Sequence, residues 1–357
     1  MSLAHAVART GREGEIGVVS SVDAPRSIHH PPEVVAELVR GSRGSLGDAA
    51  RALDDFDAVV VQHEFGIYGG LDGREILDLL AQLSAPVVVV LHTVLAHPSP
   101  AQRAIVNELG GRSAALVVQT EAAKTRLLAT NGALAEKIHL IRHGATVDPL
   151  GRTQRRADRR PLILTWGLIG PTKGIEFAID AMAGLRDLAP LPRYLVLGQT
   201  HPRVLERDGE RYRESLASRA RALGVHDMVE LHGGYLKSLS LLTATRAADV
   251  VVLPYLDREQ VVSGVLVEAI AAGTPVVATR FPHAVELVGH GSGILVSHER
   301  SSEIADALRT ILTDSGRAAQ MVAVAREQGR LHAWEAIAED YCRLASQVVA
   351  ASADARR

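Results

Sequence analysis

Two glycine-bearing segments in the second half of the chain carry the residue types that hold an anion. The first is Gly167-Leu-Ile-Gly-Pro-Thr-Lys-Gly174, between the apolar run Leu162–Trp166 and a helical pattern. A turn ahead of a helix points backbone N–H groups outward, and the helix dipole favours negative charge there. Lys173 adds a cation on a flexible stem beside Gly167 and Gly170. Taken alone, this segment is equally an ordinary turn after a strand. The second segment is Val261-Val-Ser-Gly-Val-Leu-Val-Glu-Ala-Ile-Ala-Ala-Gly-Thr-Pro-Val-Val-Ala278, entered from Val251-Val-Leu-Pro-Tyr-Leu-Asp-Arg-Glu-Gln260. Here Ser263 can cap the helix that Gly264 opens, and free amides at that end can hold a phosphate. Glu268 is a carboxylate on an otherwise apolar helix, so it needs a partner, either an arginine or a ligand diol.

The elements that position these segments are read from periodicity. In the first half, strands are expected over 16–20, 58–62, 86–91, 115–119 and 139–142, with helices over 32–40, 73–83, 100–109 and 121–130. Unbroken apolar strands separated by helices indicate a parallel sheet covered on both faces. Residues 148–160 are polar and basic and read as an interdomain linker. The alternation then restarts. Strands are expected over 162–166, 194–197, 228–231, 250–253, 275–278 and 293–296, with helices over 174–185, 209–223, 236–246, 264–272, 302–313 and 318–328, and a last helix over 334–350. The fold class is therefore α/β, with two βα domains in tandem and ligands at the carboxyl ends of the strands.

Composition excludes several other classes. Of 357 residues, 47% are hydrophobic and 22% charged, which rules out wholesale disorder. Lys plus Arg total 39 against 41 Asp plus Glu, a net −2, and aromatics are 3%. Neither a polyanion-binding surface nor a base-stacking platform fits that balance, so nucleic acid is not an expected partner. The single cysteine, Cys342, can form neither an intrachain disulfide nor a cysteine-based zinc site. None of the fifteen histidines stands at metal-ligand spacing, and no metal is expected. No apolar run reaches the ~20 residues of a membrane span, and the start lacks a basic n-region and long apolar core, so a cytoplasmic protein is expected.

Lys173-Gly174, Ala248-Asp249-Val250 and Glu268-Ala-Ile-Ala-Ala-Gly-Thr-Pro-Val-Val-Ala278 resemble the family 4 glycosyltransferases of the GT-B fold. Gly291-Ser-Gly-Ile-Leu-Val296 continues the match, as do Gln62-His-Glu-Phe-Gly66, Leu91-His-Thr-Val94 and His143-Gly144 in the first half. The resemblance implies two Rossmann-like domains facing across a cleft. It implies retaining transfer from a nucleoside-diphosphate sugar to an acceptor it does not identify, with no obligatory cofactor or metal. By position, Glu268 would grip the donor ribose, and Lys173 would neutralise the diphosphate beside Gly167 and Gly170. The amides of Val262, Ser263 and Gly264 would meet the distal phosphate and sugar. Gly234 and Tyr235 would lie against the nucleobase, and His92 would face the transferred sugar. The leaving phosphate itself would take the acceptor proton.

The chain departs from the family pattern in three ways. Gln260 stands where the first of two glutamates is usual; it can hydrogen-bond a sugar hydroxyl and is counted with His92 and Lys173 as catalytic. Leu168 replaces a usual arginine, leaving Lys173 more of the phosphate charge. Tyr255, Gln260 and Ser263-Gly264 together resemble a bacterial subgroup in which both changes occur. The chain also opens in what reads as a helix over 2–9, so the family's first strand and its loop are expected to be missing. The implied domains are 1–150 on the acceptor side, 151–333 on the donor side, and a helix over 334–357 crossing back to the first. Two other functions fit the same residues: a nucleotide-sugar-binding protein without transferase activity, and a nucleotide-sugar epimerase of the same fold. His63 is as readily structural as functional, and His143 reads as structural.

Overall fold

The structure is a computed structural model that describes residues 3–11, 14–25, 30–147, 159–234, 238–355 and 357. The chain divides into two compact units: residues up to His143 together with those from Trp334 onward, and Gly144–Ala333.

Among the described residues, the first unit contains six parallel strands: β1 (Val18–Val22), β2 (Val34–Val39), β3 (Val59–His63), β4 (Val87–Leu91), β5 (Ala115–Val118) and β6 (Ile138–Leu140). They form two sheets, a β1–β2 pair and a four-stranded sheet in the order β3-β4-β5-β6. β4 is Val-Val-Val-Val-Leu and is buried throughout, as a strand covered on both faces must be. One cover is the C-terminal helix Trp334–Ala355. Its Ile337, Tyr341, Leu344 and Val348 recur at helical spacing and pack in one cluster with Val88, Val90, Ala115 and Val117.

The segment expected as a helix over 32–40 is instead strand β2. Its run Val34-Val-Ala-Glu-Leu-Val39 pairs in parallel with β1, and three β-branched valines suit a pleated strand better than a short helix. The helix that follows, Arg43–Asp54, was not expected, because Gly44 and Gly47 disguise it. Ser42 caps it by accepting from the Ser45 amide at 3.4 Å.

In the second unit, β7 (Leu162–Trp166), β8 (Arg193–Leu197), β9 (Val229–His232), β10 (Val250–Leu253), β11 (Val276–Thr279) and β12 (Gly293–Val296) form a single sheet. All its ladders are parallel and the order is β12-β11-β10-β7-β8-β9. The helix expected over 209–223 is Arg211–Ala222; a separate helix before it, Pro202–Asp208, was not expected and ends at Gly209 with φ 64°. A short helix, Pro282–Val288, was also not expected. Most of the basic segment 148–160 lies outside the described residues. Its last two members are anchored to this unit: Arg159 donates to Ala247 O at 2.8 Å and Arg160 to Leu191 O at 2.9 Å. Among the described residues, no helix is long and apolar enough to cross a membrane.

Candidate functional site

The chain leaves β7 for β8 on one side and returns to β10 on the other, so the strand order reverses between β7 and β10. Loops diverge at such a point and open a crevice at the carboxyl ends of the strands. Both anion-type segments lie there, one after β7 and one after β10. Backbone contacts bind them together. Leu256 N–H donates to Thr172 O at 2.9 Å. Gly174 has φ +58°, and a Cβ there would lie 2.1 Å from Pro254 O, so only glycine permits this approach. A Cβ on Gly167 would lie 3.6 Å from Val265 Cγ2, which sets the β7 loop against the first turn of helix Gly264–Ala271.

Lys173 ends a single 3-10 turn, Pro171–Lys173, and its Nζ lies 3.8 Å from the centroid of the Tyr255 ring. That ring is fully buried and stacks on Phe281, with centroids 5.3 Å apart. The ammonium is thus held by a cation–π contact on a rigid aromatic base. Desolvation lowers its pKa to about 8, with nearby Asp257 pulling the other way. An anion bound beside it would favour the charged form and raise that value again.

Across the crevice, Ser263 is buried and its hydroxyl accepts from Leu266 N–H at 3.3 Å, as a helix cap does. Its own amide, expected to face a phosphate, donates to His283 Nδ1 at 2.8 Å. The Gly264 and Val265 amides belong to the first turn, ahead of the intrahelical ladder that begins with Val267 N–H to Ser263 O. Gln260 folds onto its own loop, donating from Nε2 to Val262 O at 2.9 Å. Glu268 accepts a long bond, 3.4 Å, from Trp166 Nε1, and the surrounding protein raises its carboxyl above the usual range. Glu268 is exposed to solvent, so the carboxylate is reachable by a ligand. Gly170 is extended and Gly234 has φ +124°; Leu168 is 41% exposed. Tyr235 lies outside the described residues.

The first unit carries its own cluster at the ends of β3 and β4. His92 N–H donates to His63 O at 3.1 Å, and His92 Nε2 is 2.7 Å from Gln62 Oε1. With that oxygen as acceptor, Nε2 holds the hydrogen and Nδ1 presents a lone pair. Burial, then the charge of His143, lowers the His92 pKa to about 4, so the ring is neutral. Beside it, the Thr93 hydroxyl donates to Glu64 Oε2 at 2.5 Å. His63 is completely buried between Phe65, edge-on at 5.1 Å, and Tyr68, stacked at 6.4 Å. Neither of its ring nitrogens has a hydrogen-bond partner among the described residues. Its pKa, lowered first by burial and then by His92, is also about 4. The His143 ring lies 5.9 Å from that of Trp334. A cavity of about 410 Å³ opens near the ends of β1 and β2, lined by Ser21, Asp23, Arg40, Gly66 and Ile67. Sequence reasoning missed two participants, Gln62 as the partner of His92 and His283 as the partner of Ser263. Gln62 stands inside a quoted motif, but His283 is 20 residues from the amide it binds and carries no local signal.

Comparison with known proteins bears on the family and the fold. Residues 151–328 match the family described as "Glycosyl transferases group 1". Over 369 residues the chain is 29% identical to a D-inositol 3-phosphate glycosyltransferase of Rhodococcus jostii, covering 93% of this chain and 80% of that one. Among solved structures it is similar to a sucrose-phosphate synthase of Thermosynechococcus elongatus, with TM-score 0.73, 20% identity, and 98% and 92% of the two chains covered. It is similar also to the Anabaena HepE protein in complex with UDP-glucose, with TM-score 0.69, 20% identity, and 87% and 86% covered. At such identities the likeness is one of fold.

Proposed function

For a chain that belongs to the group 1 glycosyltransferases, has the GT-B fold, and moves a sugar from a nucleotide sugar to an acceptor, we propose that the donor is a UDP-sugar seated in the β7–β10 crevice. The observation that carries this reading is the convergence of Lys173 and the first turn of helix Gly264–Ala271 at the point where the strand order reverses. Uridine is favoured because the Anabaena protein of similar fold is solved with UDP-glucose.

In this reading Lys173 and the Gly264 and Val265 amides hold the diphosphate. Glu268, exposed beside Trp166, takes the ribose hydroxyls. Gly167 and Gly170 let the β7 loop approach the phosphates, and Gly234 flanks the base. Gln260, Val262 and Ser263 shape the sugar end. We assign His92 the contact to the transferred sugar. The bond from the anomeric carbon to the phosphate oxygen breaks, and a bond to the acceptor oxygen forms on the same face. The acceptor proton passes to the leaving phosphate. Negative charge grows on the diphosphate in that step, and a preorganised ammonium and amides stabilise charge where it develops. A cytoplasmic location goes with this reading, since the lone Cys342 is a free thiol.

The test is a calorimetric titration of UDP, GDP and ADP, followed by turnover with the matching sugar nucleotides. UDP should bind tightest, with a product of retained anomeric configuration. Preference for another nucleotide would overturn the choice of uridine. Wild-type donor affinity in both Lys173→Ala and Glu268→Ala would overturn the site.

A further inference from the structure

We propose that His283 is a positioning residue of the donor site, bracing the Gln260–Gly264 loop from behind. The inference rests on the reading of the β7–β10 crevice as the donor site. His283 is 2% exposed on helix Pro282–Val288, and it meets the loop at two points. Its Nδ1 accepts the Ser263 amide at 2.8 Å, and its own backbone N–H reaches Gln260 O at 3.4 Å. Nδ1 must carry a lone pair to accept, so in the neutral ring the hydrogen sits on Nε2.

The Ser263 contact fixes a direction. At the cap of helix Gly264–Ala271, Ser263 has φ −138° and ψ 103°, outside helical geometry. Turning its amide inward to His283 leaves the next two amides, Gly264 and Val265, as the donors at the helix mouth. Without an internal acceptor, the Ser263 amide would be buried and unpaired, or the loop would rotate to satisfy it. Either change moves the donors that the diphosphate meets.

The same short segment also supports the other half of the site. Phe281, two residues earlier, stacks on Tyr255, and the Lys173 ammonium lies over that same Tyr255 ring. Thr279, at the end of β11, donates to Tyr255 O at 2.7 Å. Residues 279–283 thus run behind both anion-holding elements and tie each to the same strand end. His283 touches no donor atom in this scheme; it acts through the Ser263 amide.

The experiment compares wild type with His283→Asn, His283→Gln and His283→Leu. UDP is titrated by calorimetry, kcat and KM are measured for the UDP-sugar, and a melting temperature is taken for each. Asn can place a carbonyl near the position of Nδ1; Gln sets it one methylene further out; Leu removes the acceptor while filling the space. Gln and Leu should weaken UDP binding and raise the donor KM about tenfold, with a smaller change in kcat, and Asn should restore most of the loss. UDP affinity within about threefold of wild type in both Gln and Leu overturns the brace alone. So does an equal loss in Asn and Leu at equal melting temperatures, which would make the effect one of packing. If wild type binds none of UDP, GDP and ADP, the donor-site reading falls and the brace with it.

Discussion

Among the described residues six parallel strands serve each unit, yet the two sets are joined differently. In Gly144–Ala333 all six are hydrogen-bonded into one sheet, and the reversal of order at β7 and β10 falls inside it. In the other unit the six divide into two and four, so β1, β2, β3 and β6 each keep one edge without a ladder partner among the described residues. The division lies beside, and not through, the histidine cluster. His63 and His92 close the β3–β4 ladder, which runs in unbroken register from Val59 opposite Val87 to His63 opposite Leu91. The two loops proposed to hold the donor therefore depend on a continuous sheet, whereas the histidines need only one intact strand pair. Binding and turnover should separate along the same line.

The largest effect is expected at Lys173. Lys173→Ala should cut kcat/KM by about a hundredfold or more, with the loss shared between UDP affinity and turnover. Because its pKa is about 8, the free enzyme should lose UDP affinity as pH rises through that value, and Lys173→Ala should abolish this dependence. A pH-independent affinity in wild type between 7 and 9 would separate Lys173 from the diphosphate. Next comes His92→Ala, which should lower turnover by about a hundredfold while UDP affinity stays within about threefold. Equal losses in both would erase the division between the units.

A third test concerns acid. His63 and His92 are neutral in the fold with pKa values near 4, against an ordinary 6.5, so the unfolded chain binds protons first as pH falls. Stability present above 6.5 is lost between 6.5 and 4, and fully buried His63 accounts for up to about 3 kcal/mol of it. Lys173 is protonated folded or unfolded in that window and adds no slope. The two tryptophans report the units separately, Trp334 one and Trp166 the other. With Trp166→Phe and Trp334→Phe variants, the Trp334 signal should be lost first on acidification. Loss of both at one pH would mean that the units unfold together. The smallest effect is expected at Val60, 37% exposed on β3. Val60→Thr should change stability by no more than about 0.5 kcal/mol and leave UDP binding untouched; a cost above ~2 kcal/mol would show that this face is packed in solution.

The sequence made the continuous sheet easier to read than the divided one. Leu162–Trp166 and Val250–Leu253 are unbroken apolar runs, and such runs belong to strands covered on both faces. Val34–Val39 holds only six residues with Glu37 among them, and over that length strand and helix patterns overlap. In the site, Lys173, Glu268 and Ser263 were legible because each stands beside glycine or on an apolar helix. The inward turn of the Ser263 amide was not, because hydrogen-bond direction across 20 residues leaves no mark on spacing. Gln62 was half legible: the motif was visible, but its bond to His92 arises only when β3 and β4 lie in register.

The C-terminal helix bears on how the protein is made. Ile337, Tyr341, Leu344 and Val348 cover a sheet whose strands are encoded before residue 141, and 190 residues of another unit, Gly144–Ala333, intervene. A ribosome therefore delivers the second unit whole while the first still lacks its lid, and during synthesis the Val88, Val90 and Val117 face waits bare. Domains emerging from the ribosome fold as units, and waiting apolar surface is what chaperones bind. The inserted unit should become protease-resistant on nascent chains before the unit that precedes it in the gene.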